Sequence, residues 1–281
     1  MKFKLSQKRG MRGLAMVGVL ALAASCAVNS PTRAADGTDG GKGNLEPEKS
    51  TAAPEKPINP ALRQITDVPG LPRVLLIGDS ISMGYTLPVR EALEGRANVH
   101  HPPENCGATE RGLTKLDAWL GDGKWDVIHF NFGLHDLKYL DKDGQYVPPS
   151  KGTVVATTEQ YALNLRALVE RLKKTGAKLV FATTTPVPPG TLGRITGSQR
   201  RYNAAALEVM KAEDVQVNDL GGYVKTIQDE LGAFAPRPKK KPYPQRKGDP
   251  QLPYNVHFTK EGYDQLTKLV VASIEKNLPQ P

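Results

Sequence analysis

From residue 73 onward the chain alternates between two hydrophobic periods. Val74-Leu75-Leu76-Ile77 is a continuous apolar run closed by Gly78, the pattern of a short strand buried on both faces. Val127-Ile128-His129-Phe130-Asn131-Phe132 is a second strong run, and Val99 to His101, Leu179 to Ala182 and Val215 to Val217 are shorter ones. Between them Ala162, Leu165, Leu168, Val169 and Leu172 recur at helical spacing, with Arg166, Arg171 and Lys173 turned outward. Tyr202 to Met210 and Leu266 to Ile274 read the same way, and no fixed-period repeat is present. The alternation predicts one α/β domain over residues 62–281, a doubly wound sheet of about five parallel strands. Ligands of such sheets sit at the carboxyl ends of the strands, so the residues that follow each apolar run are where chemistry is expected.

Upstream of that domain the pattern changes twice. Residues 1–26 combine a basic start (Lys2, Lys4, Lys8, Arg9, Arg12) with an apolar run from Leu14 to Ala24, too short to span a membrane as a helix. This predicts an export signal, and hence a periplasmic or extracellular protein. Two endings are open: lipoprotein-type processing that leaves a lipid anchor on Cys26, or ordinary cleavage near Ala34 or Ala35. Residues 27–61 are rich in Gly, Pro and charge and poor in large apolar side chains, which predicts a disordered linker.

Composition narrows the function classes. With 39% hydrophobic and 24% charged residues the chain is an ordinary globular protein, and its two cysteines exclude a disulfide-stapled scaffold and a Cys-based zinc site. The net charge of +9 falls to +4 without the five cations of the signal, and six more lie between Arg237 and Lys247. The remainder is nearly balanced, so no nucleic-acid partner is expected. No His-Glu-x-x-His run or carboxylate cluster suggests a metal.

The first strand runs directly into Gly78-Asp79-Ser80-Ile81-Ser82. A serine between a buried strand and a helix projects from the sheet's carboxyl edge, where helix N–H groups can face a developing oxyanion. The plainer reading is a turn and helix cap. Position 82 is Ser, so this is not a Gly-x-Ser-x-Gly elbow. Three further blocks follow at other strand ends: Asn105-Cys106-Gly107-Ala108-Thr109, Asn131-Phe132-Gly133-Leu134-His135-Asp136, and Val256-His257-Phe258-Thr259 before the last helix. With these four blocks in this order the chain resembles the SGNH/GDSL hydrolase superfamily over residues 73–275.

The resemblance implies a three-layer flavodoxin-like fold and a serine esterase without cofactor. Ser80 corresponds to the nucleophile and His257 to its base. The oxyanion hole would comprise the Ser80 and Gly107 N–H groups and His135, which stands where the family has Asn; Asn131 is the rival donor. The family's Asp, three residues before the base, is replaced by Tyr254. Asp249, Asn255, a backbone carbonyl or weakly Tyr254 itself would then orient the ring, in a Ser–His dyad or a triad. The implied substrates are small acyl esters, acetyl groups on carbohydrates among them, taken by a monomer as small molecules or polysaccharide. A lipase or lysophospholipase of the same superfamily and a catalytically impaired glycan-binding module are the alternatives.

Other residues read as structural. His100 and His101 point to opposite faces of a strand, His129 is a hydrogen-bonded core residue, Cys106 a buried filler, and Trp119 and Trp125 core anchors. Asp136 is expected to accept backbone N–H bonds in its loop. Thr183 to Pro188 is expected to line the cleft and the basic stretch Pro236 to Pro253 to overhang it. Arg194, Arg200 and Arg201 read as exposed helix-face cations.

Overall fold

The computed structural model describes residues 58–279. The expected export signal, Cys26 and all but the end of the expected linker lie outside the described residues. Ala61, which the sequence pattern leaves in the linker, is buried in a 3-10 turn (Pro60–Leu62) that packs against the first long helix. The folded part therefore includes at least this end of the expected linker.

Five parallel strands form the central sheet: β1 (Arg73–Ile77), β2 (Asn98–His100), β3 (Val127–Phe130), β6 (Lys178–Ala182) and β7 (Gln216–Asn218). A small antiparallel hairpin, β4 (Tyr139–Leu140) and β5 (Thr153–Val154), lies between β3 and β6 in the chain. The sheet order is β2-β1-β3-β6-β7, so the direction of strand addition reverses once, beside β1. The registers are simple; Val74 pairs with Val127 and Ile128 with Leu179. Every residue of β3 and all but the first of β1 are buried, which is why these strands carry unbroken apolar runs.

Six helices accompany the strands, the first four connecting them and the last two following β7: α1 (Ser80–Ala92), α2 (Thr109–Leu120), α3 (Thr158–Lys173), α4 (Gln199–Ala212), α5 (Leu220–Glu230) and α6 (Lys260–Glu275). Right-handed crossovers put the helix of the β1-to-β2 step on one face and those of the later steps on the other. The packing follows: α1 lies against α6, while α2, α3 and α4 pack in series. The sheet between them supplies the core, with Leu75, Leu76, Ile77, Ile128, Phe130 and Phe181 fully buried. The doubly wound α/β class read from the sequence is the observed one.

One close approach joins the two ends of the chain's chemistry. A Cβ on Gly84 of α1 would lie 2.1 Å from the ring of Tyr263 of α6. The missing side chain lets α6 seat against α1, and α6 starts three residues after His257. The His257 loop is thereby held over the amino end of α1.

Candidate active site

Ser80 is the first residue of α1, directly beyond β1. Asp79 caps the helix, its buried carboxylate accepting the Ile81 N–H at 2.9 Å. The Ser80 N–H, at the first helical position, has no intrahelical acceptor and lies at the positive end of the helix dipole. The Ser80 hydroxyl is 2.8 Å from His257 Nε2, although 177 residues separate the two.

The imidazole's proton is placed by Asn255. Asn255 Oδ1 lies 3.2 Å from the His257 main-chain N–H and 2.8 Å from His257 Nδ1. A carbonyl oxygen can only accept, so Nδ1 carries the proton and the Nε2 lone pair faces the Ser80 hydroxyl. Burial, followed by the positive charge of Arg194, pushes His257 below its ordinary value, so the ring is neutral at neutral pH. Among the candidates for orienting the ring, Asn255 is in place and Asp249 is not. The Asp249 carboxylate is buried among other partners, accepting from Gln228 at 3.1 Å and from the Gln251 N–H at 3.0 Å. Tyr254 turns its hydroxyl to the carbonyls of Ala235 and Pro236.

His135 faces the same cleft. Lys138 Nζ, a donor only, lies 3.3 Å from His135 Nδ1, so the proton of the neutral ring resides on Nε2. Burial, then Lys138 and Arg194, lower His135 to about 3. Asn131, the rival donor, spends its amide on the Ala182 carbonyl at 2.7 Å and braces the sheet instead. Gly107 adopts φ +67, a conformation suited to glycine, but its N–H donates to Asn105 Oδ1 at 2.9 Å. That bond orients the Asn105 amide, which lines the cleft. Sequence reading passed over Asn105; its one signal is the Asn-x-Gly spacing that allows a side chain to cap its own turn.

The cleft is open, about 600 Å3, and lies at the carboxyl ends of β1, β2, β3 and β6. Tyr146, from the hairpin, and Leu192 and Arg194, from the loop before α4, form one wall. Arg237, Lys241 and Tyr243, from the basic stretch, overhang the other, as its position before His257 suggested. Besides the Gly107 N–H, which is spent within its own turn, and Asp249, which is turned away, two expectations about the cleft walls are corrected. Thr183, Thr184 and Thr185 do not line the cleft; they are buried, with Thr183 bonded to Asp219 and Thr184 to the Phe132 carbonyl. Arg194 is not an exposed helix cation: it precedes α4, is half-buried, and donates from Nε to the Leu134 carbonyl at 3.1 Å.

The remaining histidines serve the core. Ser82 and His101 form a second serine–histidine pair at 2.8 Å, but both are buried and closed to substrate. His100 bonds Asp67, and His129 bonds Asn218. The Cys106 thiol is fully buried and pushed up by desolvation, which makes it a poor nucleophile. Asp136 accepts from both the N–H and the hydroxyl of Thr109 and ties β3's loop to α2.

A parallel sheet with its serine turn after the first strand and a histidine delivered from just before the last helix defines a hydrolase of the α/β class. The chain belongs to the GDSL-like lipase/acylhydrolase family, whose model matches residues 76–265, and is by that membership a carboxylic ester hydrolase. None of the curated proteins compared with the chain matches it. Among solved structures it is similar to a lipase/acylhydrolase from Enterococcus faecalis, with 20% identity over 75% of this chain and 99% of the other and a TM-score of 0.55. It is similar to the acetyl xylan esterase AlAXEase, with 13% identity over 72% and 99% and a TM-score of 0.56. A variant of an acetyl-xylooligosaccharide esterase from Geobacillus is alike at 15% identity over 72% and 94%, with a TM-score of 0.54.

Proposed function

We propose that the protein is an exported serine esterase that removes small acyl groups, acetyl above all, from a carbohydrate. The observation that carries the reading is the 2.8 Å contact between the Ser80 hydroxyl and His257 Nε2 inside an open cleft at the sheet edge. In the first step Ser80 Oγ bonds to the ester carbonyl carbon as its proton passes to His257 Nε2. The carbonyl oxygen, now negative, is held by the Ser80 N–H and the His135 Nε2–H, with the Asn105 side-chain amide as the third donor. The carbon–oxygen bond to the alcohol then breaks, and the alcohol leaves with the proton from His257. Water adds to the acyl-serine, gives its proton to the same nitrogen, and the acid departs as Ser80 regains its hydrogen.

The acyl preference follows from the walls. Tyrosines, arginines and a lysine surround the nucleophile, with Leu134, Leu192 and Val256 the main aliphatic contributors. A long acyl chain needs a continuous apolar channel, so a lipase or lysophospholipase fits the cleft poorly. The acetyl esterases among the similar structures agree with the small-acyl reading.

The test is hydrolysis of 4-nitrophenyl esters. Wild type is expected to favour acetate over laurate, and S80A and H257A to lose hydrolysis. H135A should be slower by roughly 10²–10³ in kcat, the usual loss for one oxyanion donor. Undiminished turnover by S80A, or a preference rising toward laurate, sinks the reading.

A further inference from the structure

The charges around the cleft do not balance. Arg194, Arg237 and Lys241 line it, and the sole carboxylate among the lining residues is Asp79, already committed to capping α1. None of the three cations forms a salt bridge with another described residue. Arg194 is the most costly of them. It is half-buried, which disfavours its charge, and the one lining carboxylate that offsets this, Asp79, is committed to the helix cap. It is also fixed in place: Nε is held by the carbonyl of Leu134, the residue before His135, and the guanidinium lies 5.4 Å from the Tyr146 ring centre. Apart from Tyr146, the two terminal amino groups of the fork meet no acidic partner in a salt bridge among the described residues, and they line the same cleft as Ser80 and His257. At the opposite rim Arg237 is splayed by bonds to the Gly190 carbonyl and the Tyr243 hydroxyl.

We propose that Arg194, with Arg237 and Lys241 at the rim, forms an oxyanion subsite, so that the physiological substrate is an ester on an anionic sugar. The proposal rests on the esterase reading and names its substrate class. A carboxylate or sulfate next to the ester would accept both terminal amino groups of Arg194, a planar fork suited to two parallel bonds. Tyr146 and Tyr243 supply ring faces on which a sugar can lie. Solvated surface lysines would attract any polyanion diffusely, whereas a single half-buried, tethered guanidinium selects for one anionic group at one position relative to the nucleophile.

Binding separates this from the chemistry. The full-length S80A protein is titrated calorimetrically with oligogalacturonate, its fully methyl-esterified form, a sulfated carrageenan oligosaccharide and a neutral xylo-oligosaccharide. At least one anionic ligand is expected to bind about tenfold or more tightly than both neutral ones, with the advantage falling as salt rises. The carboxylate and sulfate arms identify which group is recognised. R194Q in the S80A background should abolish the preference, R237Q reduce it, and R194K retain part of it. Equal or absent binding of acidic and neutral ligands by S80A overturns the proposal, as does a preference that survives R194Q. Should R194Q fail to fold, the comparison of ligands on S80A alone still decides. Wild-type hydrolysis of 4-nitrophenyl acetate runs in parallel: its absence removes the esterase reading and leaves the binding contrast to be judged by itself.

Discussion

Asn255 does half of what a carboxylate would do for His257. Its Oδ1 selects the tautomer that leaves Nε2 free for Ser80, but a neutral amide adds little stabilisation to the imidazolium formed in the transition state. With burial and Arg194 also lowering His257, the ring is a weak base poised to work into mildly acidic solution. Asn255→Asp is therefore expected to raise the imidazole pKa, move the acid limb of kcat/KM to higher pH, and increase kcat at pH 8 by roughly tenfold. A profile unchanged in position would show that Asn255 does not govern the ring. His135 presents the complementary case. Lys138 holds the proton on Nε2 by capping Nδ1, so Lys138→Met should divide the ring between two tautomers. The expected result is a several-fold fall in kcat with little change in KM, and a second tautomer visible in imidazole nitrogen NMR. Both roles were legible only in outline: the replacements at positions 135 and 254 stand out in the sequence, but what each ring nitrogen touches does not.

At the scale of elements the site is a set of strand ends brought level. β1, β2 and β3 each end in a turn that carries one group, Ser80, Asn105 or His135, and their adjacency in the sheet places these groups around one opening. The apolar runs announced β1, β3 and β6, which are buried along nearly their whole length and so must be apolar. Shorter runs sufficed to mark β2, which carries polar Asn98 and His100, and β7, which is two-thirds exposed. They did not announce the β4–β5 hairpin, whose two-residue strands are only partly buried and show no period. His257 depends on a different contact, the seating of α6 on α1 at Gly84. Gly84→Val places atoms where the Tyr263 ring lies, and overpacking of this kind costs about 1–3 kcal/mol. We expect a lower thermal midpoint together with a fall in kcat larger than the change in KM, measured on the same preparation. Loss of stability without loss of turnover would mean that α6 does not position the base.

For the whole molecule the buried imidazoles set the acid limit. His101 and His129 are lowered to about 4 and His135 to about 3, each chiefly by burial. Once the chain unfolds, all three take up protons near their ordinary value of about 6.5. Asp136 works in the other direction: burial lifts it to about 6, so the folded protein binds a proton there that the unfolded chain releases. His100 and His257 are lowered as well and Asp79 is raised like Asp136. Between pH 6 and 4, therefore, five depressed imidazoles outnumber two raised carboxyls and the unfolded state binds more protons. Stability should therefore fall as pH decreases through that window and level off above about pH 7.5, where the unfolded imidazoles are largely neutral. Denaturant midpoints at pH 7.5, 6 and 5 test this, and a constant midpoint excludes it.

The sequence by itself determined the class of fold, the order of the sheet-forming runs, and the serine and histidine of the site, because burial and strand termination are local patterns of side-chain type. It also marked where this chain departs from its family, at His135 and at Tyr254. Only the tertiary structure decided which groups complete the site. Asp249 and Asn255 stand on the same short loop, yet one is buried against Gln228 and Gln251 and the other reaches the imidazole. Arg194, a plausible surface cation by its neighbours in the chain, turns into the cleft because the Leu134 carbonyl and the Tyr146 ring receive it. The direction of a side chain and the partner of a charge depend on residues far away in sequence, and packing settles them after the pattern has been read.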